Sequence, residues 1–397
     1  MRLYGVDLLP AVPWLLPFIT LPRLSRRTPN LSDAPARSGR LVSVIIPARN
    51  EAATIATVVR SVLDTSYTPF ELLVVDDRSS DGTAAIVESL PPDPRLRLVR
   101  GEELPEGWYG KPWACFQGYR HARGELLLFT DADTRHQPAL LGQAVGALEQ
   151  ENAALVTVLP TQRCETFWER LVMPQIWFLL SLRYHPRTVN RARRASDVIA
   201  NGQFILTSRA AYEVAGTHAA VRQEVAEDLA LAQTYLAKGL KLHFAFAERL
   251  METRMYQGLA HLIEGWSKNI YLGGRRSFPD EPLRRALVPV MLVLAMLFWL
   301  APPAALIAAD AEPALAQIAP AALAATGLSA LFWMLICHGM KIPALYGLGY
   351  PLGALMALYI ILKSTWRGGR RVEWRGRVYG SPGGGAAGQR GSKDLSS

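Results

Sequence analysis

Between Ala286 and Ala309 the chain runs for 24 residues without a charge, and Ala314 to Cys337 repeats the pattern. A bilayer offers backbone amides no water, so such runs cross it as helices, and about 20 apolar residues suffice. A third stretch, Ile342 to Leu362, is apolar but broken by Pro343, Gly347, Gly349, Pro351 and Gly353. Together they set out a transmembrane region over residues 286-363. It has two full spans and an interrupted third, whose Gly/Pro-rich part is expected to be re-entrant or interfacial. Leu8 to Pro22 is also apolar, but it is short and carries four prolines. It reads as an N-terminal membrane anchor, residues 1-27, or an imperfect first span, with no small-residue cleavage site after it.

Charge placement orients these segments. The formal net charge is +9. Its excess sits at Arg23, Arg26, Arg27, Arg275, Arg276, Arg284 and Arg285, and in the stretch Trp366 to Arg377. Basic residues that flank apolar runs meet anionic lipid headgroups, so membrane lipids are expected partners and nucleic acid is not. The positive-inside rule puts the polar part of the chain on the cytoplasmic side of the cell (inner) membrane, in a multi-pass protein. It puts the basic tail, 364-397, there too, with a disordered end from residue 381. Cys115, Cys164 and Cys337 fit neither a zinc spacing nor a disulfide framework.

The polar part alternates strands and helices. Leu41–Ile46, Phe70–Val75, Leu96–Val99 and Leu126–Phe129 are apolar strand runs, separated by helical patterns near 53–63, 83–89 and up to His121. That rhythm predicts an α/β fold with a mostly parallel, Rossmann-like sheet and helices on both faces. The first, second and fourth strands each end in polar residues, at the sheet edge where open α/β folds bind ligands. The fourth runs into Asp131-Ala-Asp133, and Pro138 fits the first turn of a following helix. Paired carboxylates on a rigid strand end suit Mg²⁺ or Mn²⁺ clamping a diphosphate. The plainer reading is a turn with one aspartate as an N-cap. Farther on, Phe167–Leu180 is an aromatic helix of core or interfacial type, and Glu227-Asp228 opens a helix with acids that suit its dipole. His136 is placed one turn into a helix, as a surface histidine.

Five motifs then occur in order: Val44-Ile-Ile-Pro-Ala-Arg-Asn-Glu51, Val74-Val-Asp-Asp-Arg-Ser-Ser-Asp-Gly-Thr83, Gly110-Lys-Pro-Trp-Ala-Cys-Phe-Gln-Gly118, Thr130-Asp-Ala-Asp133 and Glu227-Asp228. The series resembles the family 2 glycosyltransferases of GT-A fold, over roughly residues 41-275. The loop Leu104–Lys111 and the tail Val372–Tyr379 resemble the lipid-glycosylating members, comparable to carotenoid- and hopanoid-associated transferases and ceramide glucosyltransferases.

The resemblance implies a nucleotide-sugar donor, UDP-linked, a divalent metal, Mg or Mn, and a lipid acceptor. Pro47 and Asn50 would shape the first turn, and Glu51 would accept from a ribose hydroxyl. Asp77 would read the base, while Asp76 and Asp81 serve turn and cap chemistry. Lys111 would be a mobile loop cation for the diphosphate. Asp133 would bind the metal, and Asp131 the sugar or ribose. Asp228 would be the general base of an inverting transfer, oriented by Glu227. Processive members carry a Gln/Arg-x-x-Arg-Trp motif that is not present here, which implies single-sugar transfer. The nearest feature, Glu264-Gly-Trp-Ser-Lys268, offers Trp266 to the acceptor and Lys268 to the diphosphate, or is merely an interfacial aromatic helix. A polyprenyl-phosphate acceptor is the alternative within enzymes. The acids at 77, 131, 133 and 228 argue against a transport or scaffold protein with a degenerate nucleotide-binding domain.

Overall fold

Strands buried on both faces must be largely apolar, and three of the first four strand runs are buried along their whole length, whereas the edge run Leu96–Arg100 is only partly buried. The four are β1 (Val42–Ala48), β2 (Phe70–Asp76), β3 (Leu96–Arg100) and β4 (Leu126–Thr130). Along β1, Val42, Val44 and Ile46 face a layer built with α1 (Ile55–Leu63) and α4 (Leu140–Gln150), whereas Ile45 faces α3 (Gly110–His121) and α7 (Glu227–Ala237). The short α2 (Thr83–Glu88) joins β2 to β3. The computed structural model of the 397-residue chain describes residues 2–3, 6–21, 28–368, 371–374 and 377–380, with residues 2, 3, 6 and 371–380 given by backbone only. Arg23, Arg26, Arg27 and the expected disordered end from 381 lie outside the described residues.

The sheet has eight strands in the order β3-β2-β1-β4-β7-β6-β8-β5. The added members are β5 (Thr134–His136), β6 (Leu155–Gln162), β7 (Phe204–Ser208) and β8 (Leu242–Thr253). Pairing is parallel from β3 through β4 and between β6 and β8, and antiparallel around β7 and between β8 and β5. The mostly parallel α/β expectation therefore holds. Two details differ from the sequence reading. Residues 134–136 alternate buried, exposed, buried and pair with Met251–Thr253, so they form an edge strand, and α4 begins only at Leu140, beyond Pro138. His136 is consequently a buried core residue, not a surface one. Its Nε2 lies 3.0 Å from Thr130 Oγ1, and burial pushes its pKa down to about 3, so it stays neutral.

Beyond the sheet come α5 (Phe167–Arg183), α6 (Arg209–Val214), α8 (Leu259–Arg276), α9 (Pro282–Ala311), α10 (Ala319–Gly339) and α11 (Tyr350–Arg367). Among the described residues three segments are long and apolar enough to cross a membrane: Pro282–Ala311, Pro313–Gly339 and Ala344–Arg367. The Gly/Pro-rich part of the third forms a 3₁₀ turn, Ala344–Gly349, ahead of α11. Leu287, Val290, Leu294, Leu323, Leu331, Leu355 and Leu362 are exposed on these helices, an apolar belt that water would not tolerate. Leu9–Thr20 forms a 12-residue 3₁₀ helix against the bundle. Pro302 has no N–H to give the Phe298 carbonyl four residues earlier, and the Trp14 indole donates to that carbonyl at 3.1 Å.

The bundle is fastened to the sheet domain. Arg367 pairs with Glu264 at 2.9 Å, the Tyr271 amide donates to Ser364 Oγ at 2.9 Å, and Arg170 reaches the Tyr346 hydroxyl at 3.2 Å. The backbone at 371–374 and 377–380 forms a small antiparallel hairpin.

Candidate active site

The turns after β1 and β2 hold each other through backbone bonds. Asn50 adopts a left-handed φ of 54° and accepts from the Ser80 amide at 2.9 Å, while its own amide donates to Ser79 Oγ at 3.0 Å. Asp81 accepts from the amides of Ala52 (2.9 Å) and Thr83 (3.0 Å), the cap chemistry expected of it. Burial would raise its pKa, but bonds from the Thr83 hydroxyl and these amides outweigh that and lower it. Glu51 is thereby fixed at the mouth of a cavity, with its amide donating to Thr83 Oγ1 at 2.8 Å. Asp77 is fully buried at the end of β2, with its amide donating to the Ala48 carbonyl at 2.8 Å.

The cavity has a volume of about 1570 Å³. Pro47, Glu51, Lys111, Asp131, Asp133, Glu227, Asp228, Trp266 and Lys268 all line it. Sequence-distant residues thus converge, as expected, apart from Asp77, which lies outside the lining.

Lys111 differs from expectation in its placement. It sits in the first turn of α3 and not on a loop. Its Nζ is 2.8 Å from Asp131 Oδ1 and 2.9 Å from Glu227 Oε1, with 22% of the side chain exposed. Burial alone would lower its pKa, but Asp131, Glu227 and Asp228 together hold it well above the ordinary lysine value. The ammonium is a pinned cation joining the strand-end carboxylates to the α7 acids.

Asp228 opens α7. Its Oδ2 accepts from the Gly202 amide at 2.9 Å and its Oδ1 from the Leu229 amide at 2.7 Å. Burial and the adjacent Glu227 charge push its pKa up to about 6, against the pull of Lys111. A carboxylate so poised can take a proton near neutral pH. Glu227 is buried, and although burial would raise its pKa, Lys111 holds it low and charged. Gly202, in the turn ahead of β7, is not among the site residues expected from the sequence. In the structure a Cβ on Gly202 would lie 2.8 Å from Lys111 Nζ and 3.1 Å from Asp228 Oδ2, so a side chain there would push on both groups. The one signal in the sequence was an Asn-Gly pair ahead of a strand.

At its other end the cavity is apolar and aromatic. Trp266 is buried on α8, its indole donating to Met173 Sδ at 3.4 Å and its ring near Trp177 and Tyr256. Met291, Leu292 and Ala295 of α9, with Leu335 and Ile336 of α10, continue the wall. Glu169 braces this side by accepting from the Gly258 amide at 2.9 Å and pairing with Arg254 at 3.2 Å. Burial opposes its charge, but these donors bring its pKa to about 2.

Asp131 and Asp133 offer hard oxygen donors on a rigid strand end, which suits a divalent cation. Among the described residues no three His, Cys, Asp or Glu side chains group as a metal site by themselves. A donor set this small fits a cation that completes its shell with substrate oxygens and water.

Known proteins resemble this chain in sequence and in fold. Residues 43–216 match the glycosyl transferase family 2 model. A 4,4'-diaponeurosporenoate glycosyltransferase of Staphylococcus aureus is 28% identical over 248 residues, which are 60% of this chain and 63% of the relative. The match thus spans less than two thirds of that protein's length. Among solved structures, a mannosyltransferase from Pyrobaculum calidifontis in complex with GDP-Man and Mn²⁺ superposes with a TM-score of 0.53 at 19% identity. It covers 91% of this chain and 98% of its own, and it shares the GT-A fold.

Proposed function

We propose, on the premise of the family 2 glycosyl transferase match over residues 43–216, that this chain is a membrane-bound inverting glycosyltransferase that moves one sugar from a UDP-linked donor to a lipid hydroxyl. Its parts would be an anchor (1-27), a cytoplasmic catalytic domain (41-275), a transmembrane region (286-363) and a basic cytoplasmic tail (364-397). One observation carries the reading: a single cavity is lined by Asp131, Asp133 and Asp228 and by apolar side chains of α9 and α10, two helices apolar enough to lie in a bilayer. A lipid hydroxyl approaching along that wall arrives at the acids.

Glu51 binds the nucleoside and Asp131 the sugar side of the donor, while Asp77, buried at the end of β2 outside the cavity lining, would reach the base only if the neighbouring turn opened. Asp133 would hold a divalent cation, which would supply positive charge against the leaving diphosphate. Asp228 takes the proton of the acceptor hydroxyl as its oxygen attacks the anomeric carbon and the bond to the diphosphate breaks. Glu227 stays charged and orients this group through Lys111. Trp266 holds the acceptor's head, and Lys268 meets the diphosphate.

The S. aureus relative's name supports a carotenoid-type lipid among the carotenoid, hopanoid or ceramide-like candidates. That name also favours a second reading, an acceptor that is already an anion, as a carboxylate or a polyprenyl phosphate would be. An anionic acceptor needs no general base, so loss of Asp228 would then be nearly harmless. Mass spectrometry of membrane lipids with and without the protein tests both readings. One hexose gained on a lipid alcohol supports the first, one gained on a lipid carboxylate or phosphate supports the second, and no glycosylated lipid contradicts both.

A further inference from the structure

We propose that Lys111 keeps a divalent cation out of the Asp131–Asp133 turn until a nucleotide diphosphate draws the lysine away. The proposal rests on the metal assignment to Asp133 made above. Lys111 Nζ makes two short ion pairs, with Asp131 Oδ1 at 2.8 Å and Glu227 Oε1 at 2.9 Å. One partner lies two residues from Asp133, and the other adjoins Asp228. The Asp228 carboxylate also lies near this ammonium, since a Cβ built on Gly202 would fall 2.8 Å from Lys111 Nζ and 3.1 Å from Asp228 Oδ2. One positive charge therefore serves three carboxylates from β4 and α7.

Two physical consequences follow. A dication entering at Asp133 meets an ammonium already bound to the neighbouring aspartate, and like charges at this range repel strongly where water is scarce. The repulsion can be relieved without unfolding anything. Lysine is a point charge on a flexible four-carbon stem with three donors, here anchored on a rigid helical turn. A diphosphate in the cavity offers Nζ several anionic oxygens, and as the lysine swings to them, its charge leaves Asp131 and Asp133 is open to the cation. Metal and nucleotide then bind together, each weakly alone.

The test is Mn²⁺ binding by electron paramagnetic resonance, on the detergent-solubilised full chain and with no sugar donor present. Wild type should bind Mn²⁺ weakly alone and tightly when UDP is added. Lys111→Gln should bind Mn²⁺ without UDP about tenfold or more tightly than wild type, since it removes one charge next to the site. Lys111→Arg keeps that charge and should keep the exclusion. Lys111→Met, which retains the aliphatic stem, replaces the Gln variant if thermal unfolding shows the latter to be misfolded. Equal Mn²⁺ affinity in wild type and either neutral variant without UDP overturns the gate. If Asp133→Ala still binds Mn²⁺ like wild type in the presence of UDP, the metal assignment beneath it falls instead.

Discussion

The two ends of the cavity are built on opposite principles. At the polar end, short side chains are fixed by backbone donors: Asp81 by two amides, Asn50 by Ser80, Asp228 by Gly202 and Leu229. Little there can shift without breaking a hydrogen bond in a partly dry site. At the apolar end the wall is Trp266, Met291, Leu292, Leu335 and Ile336, large side chains on long helices. Its only directional bond at Trp266 is a weak one to a thioether. One end is specified by direction and the other by shape. Changes at the first should alter chemistry in steps, and changes at the second should alter affinity in gradations.

The largest effect that can sharpen this contrast is expected at Asp228. Asp228→Asn should lower transfer to a lipid hydroxyl by about 10²–10⁴-fold with donor affinity retained, because an amide cannot accept the proton. The wild-type rate should fall as pH drops through about 6, where the carboxylate protonates, and the residual rate of the variant should lose that limb. Stability should move the other way. The fold holds this carboxyl above its unfolded value of 3.8, so the charged form is the disfavoured one and its stability cost grows as pH rises from about 4 through 6. The neutral amide relieves that cost but has one acceptor oxygen for the two amide donors of Gly202 and Leu229, so at pH 7 it should unfold close to the wild-type temperature. Steady-state kinetics with isothermal titration of UDP would check both, and a wild-type rate would remove Asp228 as the base.

The same contrast explains what the sequence could reveal. Apolar runs ending in Pro47, Asp77 and Asp131 announced parallel strands with polar carboxyl ends, because burial on both faces forces a continuous apolar pattern. The acids were legible for the same reason: each lies at the end of an element whose period is visible. Residues 134–136 were misread because three residues are too few to show a period, and their pairing with 251–253 is non-local. Lys111 was legible as a site residue but not as an ion-paired one, since its partners lie 20 and 116 positions away. Trp266 and Lys268 of α8 were legible as candidates, but the joining of α9 and α10 to the acids left no local mark, because helix packing is decided by shape between distant segments.

A smaller effect is expected at Gly202, where the polar end has no room. An added methyl would crowd Lys111 Nζ and Asp228 Oδ2. The lysine can retreat but Asp228 is held by two amides, so Gly202→Ala should weaken the bond from the residue 202 amide to Asp228. Turnover should drop by about tenfold to a hundredfold, less than for Asp228→Asn, because the carboxylate is displaced and not removed. The apparent pKa on the acidic limb should rise, since a donor to the charged form is lost. An unchanged pH profile would show that this contact does not tune the base.

The smallest effect is expected at the apolar end, and it is the one that can break the comparison. Trp266 is buried against Trp177, Tyr256 and Met173, and it faces the cavity. Trp266→Phe keeps an aromatic wall and gives up the indole N–H, so the fold should survive. The KM for the lipid acceptor should rise by about threefold to tenfold, the scale of a modest loss of ring area at a binding surface. Slow hydrolysis of the donor by water, which needs the acids but no lipid, should stay near the wild-type rate. A selective rise in acceptor KM places Trp266 with shape and not with chemistry. If donor hydrolysis falls along with lipid transfer, the aromatic wall also orders the acids, and the two ends of the cavity are one cooperative unit.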